Sequence, residues 1–163
     1  MAKKLNVNVN LNAKVLVFDL DGTVVDLYGV EGWLEMLRAY DPTPYIVANP
    51  LCDMAELVTI LNELRKIGYI VAVTSWLSME STAEYDKAVR TAKRNWLDNH
   101  NFPYDEIHLV KFGTTKANCT RHHECEQILF DDSDKVRNGW TLGDTVNPTT
   151  TNIVEYLKGL LDL

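Results

Sequence analysis

Two carboxylates flank a leucine in Asp19-Leu20-Asp21, and a glycine, Gly22, follows them. A second acidic pair, Asp131-Asp132, stands much later in the chain. Each pair comes directly after an apolar run, Val15 to Phe18 in one case and Ile128 to Phe130 in the other. Brought to one place, four carboxylates repel one another and resist ionising. A hard cation among them removes that penalty, and Mg²⁺ takes oxygen ligands while keeping waters and a substrate phosphate in its shell. A carboxylate is also a nucleophile toward phosphorus and can carry a phosphoryl group as an aspartyl-phosphate. Plainer readings exist for both pairs. Asp21-Gly22 fits a simple turn, and Asp131-Asp132-Ser133-Asp134 fits a solvated helix start capped by Asp or Ser. The pairs alone leave a turn, a metal site and a catalyst open.

The elements around them narrow the choice. Lys14 to Asp19 reads as a buried strand, Tyr69 to Val73 as a second that stops at Thr74-Ser75, Glu106 to Val110 as a third and Gln127 to Phe130 as a fourth. Asp144 to Asn147 fits a last strand. Between them lie helical patterns. Gly29 to Tyr40 carries Trp33, Leu34, Leu37 and Tyr40 at helical spacing and is broken by Asp41-Pro42 and Thr43-Pro44. Asp53 to Ile67 has Asp53 as cap, Glu56 three residues on, an apolar face of Leu57, Ile60, Leu61 and Leu64, and Gly68 as its stop. Ala83 to Asn99 is a polar helix with Val89, Trp96 and Leu97 as apolar positions. Lys116 to His122 allows a helical turn or two, Asp134 to Trp140 a short helix, and Pro148 to Leu161 a closing helix with Ile153, Tyr156, Leu157 and Leu160 inward. The alternation of Leu5, Val7, Val9 and Leu11 with Asn6, Asn8, Asn10 and Asn12 has strand period and suits an edge strand or a loose arm.

Strands alternating with helices predict an α/β, three-layer sandwich around a central parallel sheet. Ligands of such sheets sit beyond the carboxyl ends of the strands. That places Asp19, Asp21, Thr74, Ser75, Asp131 and Asp132 together at the one edge where chemistry is expected.

The totals agree with one soluble domain. At 163 residues, 46% hydrophobic and 24% charged, the chain can bury a core without staples. No apolar run approaches the ~20 residues of a membrane helix, so no membrane partner is expected. The start MAKKLNVNVNLNAK has no apolar stretch of the secretory kind. Three cysteines, Cys52, Cys119 and Cys125, suit a reducing cytoplasmic setting better than a disulfide framework. A net charge of −7 argues against a nucleic-acid backbone as main partner, and leaves room for a small phosphorylated substrate held by a few local donors.

The motifs resemble those of the haloacid dehalogenase (HAD) superfamily, in matching order from Asp19 to Asp132. DLDGT after an apolar strand resembles its first motif. VAVTS, Val71 to Ser75, resembles the second, Lys116 the third, and ILFDD, Ile128 to Asp132, the fourth. The resemblance implies a single HAD-like domain over 1-163 with a small cap insertion at about 27-52. It implies Asp19 as nucleophile and Asp21 as the acid that protonates the leaving oxygen and then takes the proton of the hydrolytic water. Gly22 permits a sharp turn beside the substrate. Mg²⁺ as cofactor is implied on Asp19, the backbone carbonyl of Asp21 and Asp132, with Asp131 close by or bound through water. Thr74 and Lys116 are implied as phosphoryl contacts, with Lys116 also pairing Asp19.

Within the superfamily, the short cap stretch, Ser75 beside Thr74, and Lys93-Arg94-Asn95-Trp96 resemble the 5′(3′)-deoxyribonucleotidases, with Lys93 implied as a further phosphate contact. Aromatics of the cap stretch, Tyr28, Trp33, Tyr40 and Tyr45, and Trp76 beside Ser75, suit stacking on a base or filling a small cap core. The implied substrate is then a nucleoside monophosphate. A broad small-molecule phosphatase is an alternative. So is a polynucleotide 3′-phosphatase, because the segment from Tyr85 to Trp96 with Arg90, Lys93 and Arg94 also resembles the phage-type end-healing enzymes. Against the last stands Thr74-Ser75-Trp76 where those enzymes typically carry Ser-Gly-Arg. A different class, a non-catalytic binding protein, would draw on Cys119, His122, His123 and Cys125, which lie within seven residues and carry zinc-type ligands. So short a run needs a further ligand from elsewhere, such as His108 or Cys52.

Overall fold

In the computed structural model, residues 14–162 are described; the alternating Asn6 to Asn12 segment lies outside them. Three of the five strands are mainly apolar runs, and they find one another. Strand β1, Val15–Phe18, is wholly buried and pairs in parallel on both sides. Strand β2, Ile70–Trp76, lies against one edge, with Phe18 opposite Val73. Strand β4, Gln127–Phe130, lies against the other, with Phe18 opposite Phe130. Strand β3, Glu106–Val110, extends the β2 side and β5, Thr145–Val146, the β4 side, giving an all-parallel sheet of order β3-β2-β1-β4-β5. This is the α/β architecture that the alternating pattern predicts.

The two faces of the sheet are covered unequally. Leu16 and Phe18 point to the face packed by helices α3, Met54–Lys66, α4, Ala83–Asn99, and α6, Ile153–Leu161. There Phe18 stacks on Phe130 at 4.5 Å between centroids and meets the edge of Phe102 at 5.5 Å. Val15 and Val17 point to the other face, which is closed by Ala117 of a 3₁₀ turn at Lys116–Asn118, Trp140, and Val136 of the short helix α5, Asp134–Asn138. The long helices start on side-chain caps: Asp53 accepts from the Glu56 amide, Thr82 from Tyr85 and Asn152 from Glu155.

The segment after β1 departs from the single helix expected over Gly29 to Tyr40. A 3₁₀ turn at Leu27–Gly29 comes first, then helix α1 at Trp33–Arg38, and then α2 at Thr43–Val47. Gly32 sits at φ 74 before α1 and Tyr40 at φ 58 after it, so the backbone reverses hand at both ends. Pro44 does not exclude a helix here; it lies in the first turn of α2, where its missing N–H has no intrahelical partner to lose. The excursion leaves and returns at one place, with the Asp26 amide bonded to the Asn49 carbonyl at 2.8 Å and the Leu51 amide to the Val24 carbonyl at 2.9 Å. Two further boundaries differ. Strand β2 continues through Thr74, Ser75 and Trp76, because β3 pairs with them out to Val110. Helix α6 starts only at Ile153, since Asn152 takes the cap and the preceding residues from Pro148 form turns.

Candidate active site

Parallel pairing of β1 with β2 and β4 brings three strand ends to one edge. The Asp19 amide donates to the Phe130 carbonyl at 3.0 Å, which sets Asp19 beside Asp131. Leu20 turns inward and is buried. Its carbonyl receives the amides of Thr23, Val24 and Val25, each at 3.0 Å, so the chain coils tightly after Asp19. Gly22 makes this possible at φ 80. A Cβ there would run into the Asp132 carboxylate and come within 2.9 Å of the Tyr28 ring.

The buried Lys116 ammonium donates to Asp19 Oδ1 at 2.8 Å and to Asp131 Oδ2 at 2.7 Å. Burial alone would lower its pKa; the two carboxylates more than offset this and hold it above the usual lysine range. Asp131 is further fixed by the Ser133 amide at 2.9 Å, and its carbonyl receives Arg137 Nη1 at 2.8 Å. Thr23, also buried, points its hydroxyl between Asp19 Oδ2 at 3.3 Å and Asp132 Oδ1 at 3.4 Å. Thr23 has no role in the sequence reading, although it is the last residue of the quoted DLDGT.

Asp19, Asp131 and Asp132 each bring a carboxylate oxygen within 4.8 Å of the others, the one such trio among the described residues. Burial, and then the Asp19 charge, push Asp131 up to about 6 and Asp132 up to about 7. Three crowded oxygen donors, of which Asp131 and Asp132 resist ionising, fit a hard divalent cation, which would offset the burial and repulsion together. The Asp21 carboxylate stands outside this trio. It accepts from Lys93 Nζ at 2.8 Å, and burial raises its pKa against the pull of that lysine.

Lys93 projects from α4, and its ammonium is almost fully buried. It also donates to Ser75 Oγ and to the Trp76 carbonyl, both at 2.8 Å, so its three donors are all engaged within the chain. The ammonium lies 5.1 Å from the Tyr45 ring centroid. Thr74 is fully buried, and its hydroxyl has no partner among the described residues.

A cavity of about 590 Å³ opens over these groups, with Asp19, Asp21, Lys116, Asp131 and Asp132 in its wall. Trp76 lines it too, tied by its indole N–H to the Thr114 carbonyl at 2.8 Å and tilted against Phe112 at 4.9 Å. Of the aromatics between β1 and α3, Tyr28, Trp33, Tyr40 and Tyr45 all reach the wall. Tyr45 is buried while Tyr28 and Tyr40 are about half exposed, so the stretch serves both as a small core and as a lining.

The Cys119–Cys125 run does not converge. His122 Nε2 approaches Glu106 at 3.6 Å, the His123 ring bonds the Thr120 carbonyl, and Cys119 donates to Thr115. His108 is held by Glu106 at 2.9 Å.

No family model matches the sequence, and no curated protein matches it. Among solved structures, a chain in the structure of the Pnkp1/Rnl/Hen1 RNA repair complex aligns over 83% of this chain at 16% identity, with a TM-score of 0.55. The likeness is one of fold. This chain spans 42% of the length of that one. The HAD domain of effector protein Lem4 from Legionella pneumophila aligns over 92% of this chain and 94% of its own, at 17% identity and a TM-score of 0.46.

Proposed function

We propose that this chain is a phosphomonoester hydrolase of the HAD superfamily, dependent on Mg²⁺ and acting through an aspartyl-phosphate. One observation carries the reading: Asp19 is held by Lys116 at the end of the central strand, while Asp21, two residues on, is held separately by Lys93. Two carboxylates in two environments suit two tasks. Asp19 attacks phosphorus, and its bond forms as the bond to the leaving oxygen breaks. Asp21, with its pKa raised by burial, gives that oxygen its proton. Asp21 then takes a proton from the water that hydrolyses the aspartyl-phosphate, restoring Asp19. Lys116 neutralises charge on the phosphoryl group, and the orphaned Thr74 hydroxyl offers it a donor. Asp19, Asp131 and Asp132, with the Asp21 carbonyl, would hold the Mg²⁺, which would supply charge neutralisation between an anionic nucleophile and an anionic substrate.

The substrate reading is a nucleoside monophosphate, supported by the aromatic wall above the acids. Ser75 and Lys93 enter as supports of Asp21. A polynucleotide 3′-phosphate is the second reading, favoured by the fold likeness to a chain of an RNA repair complex and opposed by the net charge of −7. One screen decides: phosphate release with Mg²⁺ from dUMP, dTMP, other small phosphoesters and a 3′-phosphorylated oligonucleotide, beside Asp19→Asn. Release from the mononucleotides that vanishes in Asp19→Asn is expected. Release from the oligonucleotide alone would sink the nucleotidase reading, and equal activity in Asp19→Asn would sink the mechanism.

A further inference from the structure

Five of the nine exposed large apolar side chains among the described residues, Tyr28, Leu34, Tyr40, Met79 and Phe112, line the one cavity over the acids. Exposed apolar groups gathered in this way mark a binding surface rather than chance exposure. The same wall carries two cations. Lys116 sits at the buried floor, committed to Asp19 and Asp131. Arg38, the last residue of α1, sits at the exposed rim, and among the described residues it makes no ion pair or hydrogen bond. Glu80, the other free charge at the rim, can only accept, and it opposes a second anion wherever it lies near one. The cavity falls in the range of roughly 300–1,000 Å³ usual for small-molecule sites, with room beyond the reacting phosphate for a planar body.

We infer that Arg38 binds a second anionic group on the substrate, so that the preferred ligand is a phosphomonoester whose planar, apolar body carries another phosphate. This rests on the hydrolase reading and deepens it. A guanidinium presents paired donors that match two phosphate oxygens, and it stays charged at every working pH. The floor, crowded with carboxylates, gives no such partner to a second phosphate. Two sources share the chemistry: a nucleoside bisphosphate, and the phosphodiester next to a phosphorylated strand end.

The test measures binding by calorimetry in the Asp19→Asn background, which prevents turnover, with Mg²⁺ present. The ligands are a nucleoside 3′,5′-bisphosphate, its two monophosphates, and a 3′-phosphorylated dinucleotide. The bisphosphate or the dinucleotide is expected to bind about fivefold to tenfold tighter than the better monophosphate. In Arg38→Gln the ratio is expected to fall to about one, and in Arg38→Glu below one. Whichever of the two ligands shows the Arg38-dependent gain names the source. A ratio near one in the starting protein, or a ratio unchanged in Arg38→Gln, overturns the inference while leaving the hydrolase reading intact. Binding of none of the four, together with no phosphate release by wild type, overturns both.

Discussion

Replacing Lys93 by Met removes one positive charge from beside Asp21 while keeping an unbranched side chain in the same slot. The ammonium is the shared donor of three acceptors, Asp21 Oδ2, Ser75 Oγ and the Trp76 carbonyl, each at 2.8 Å. Both ends of the ion pair are largely shielded, with side-chain exposures of 2% for Lys93 and 15% for Asp21. Removing one partner of a buried pair costs roughly 3–5 kcal/mol. The remaining solvent contact of Asp21 places this case at the lower end, near 3 kcal/mol. For a chain of this size that is a fall in Tm of roughly 6–12 °C. The pH dependence fixes the cause. Burial already raises the Asp21 pKa while Lys93 lowers it, so Lys93→Met raises it further. A carboxyl whose folded pKa stands above its unfolded value is tolerated below that unfolded value, and the stability it allows is lost as pH rises through the folded pKa. The penalty of Lys93→Met is therefore expected to be smaller at about pH 5.5 than at about pH 8, and to shrink when combined with Asp21→Asn. Urea unfolding of the four proteins of this cycle, at both pH values and without divalent cations, gives the numbers. An equal penalty at the two pH values, or no coupling to Asp21→Asn, would refute the assignment of Lys93 as the partner that lowers the Asp21 pKa against burial.

Mg²⁺ is expected to raise the Tm, by an amount equivalent to about 2.7 kcal/mol at a hundredfold excess over its Kd. The rise should be larger at about pH 8 than at about pH 5.5, because Asp131 and Asp132, pushed up to about 6 and about 7, must first release their protons; a Mg²⁺ effect that ignores pH would speak against the trio as the site. Gly22→Ala should lose at least about tenfold in Mg²⁺ affinity, read by titration of the thermal shift, since the new methyl displaces the Asp132 carboxylate and strains a residue at φ 80; an unchanged titration would show that Asp132 does not hold the ion. Phe18→Ala should cost about 3–5 kcal/mol in urea unfolding, from the lost stack on Phe130 and a cavity at the sheet centre, and a loss under about 1 kcal/mol would mean the core closes over the gap.

The strands were legible because they are short, apolar and bounded. Val15–Phe18 and Gln127–Phe130 are buried end to end, as fully covered parallel strands require, and the acids after them fall at the sheet edge by construction. The caps of α3 and the stop at Gly68 were equally plain, since each is set by local hydrogen bonding. The path from Leu27 to Val47 was not legible. It depends on Gly32 and Tyr40 adopting left-handed backbone, and residue type does not force a tyrosine to do so. Pro44 read as a break because position within a helix, rather than proline itself, decides its effect. The direction of Lys93 was hidden for a related reason. Helical spacing says which residues share a face, but only the packing of α4 on the sheet end shows that this lysine reaches Asp21. Thr23 is silent in the sequence because a hydroxyl gains meaning only from what lies within 3.5 Å of it.

The place of β1 between β2 and β4 has a consequence for the chain as it is made. Val15–Phe18 leaves the ribosome before either of its partners, and the second of them, Gln127–Phe130, only after roughly fifty more residues have followed the end of β2. At 5–20 residues per second that leaves one apolar strand edge open for several seconds, during which it can pair with the same edge of another nascent chain. Asp19 and Asp21 sit at the end of that edge and Lys14 at its start. Charges flanking an apolar strand discourage such pairing. The carboxylates that line the cavity in the folded protein are thus also the charges that flank the strand while its edge is open.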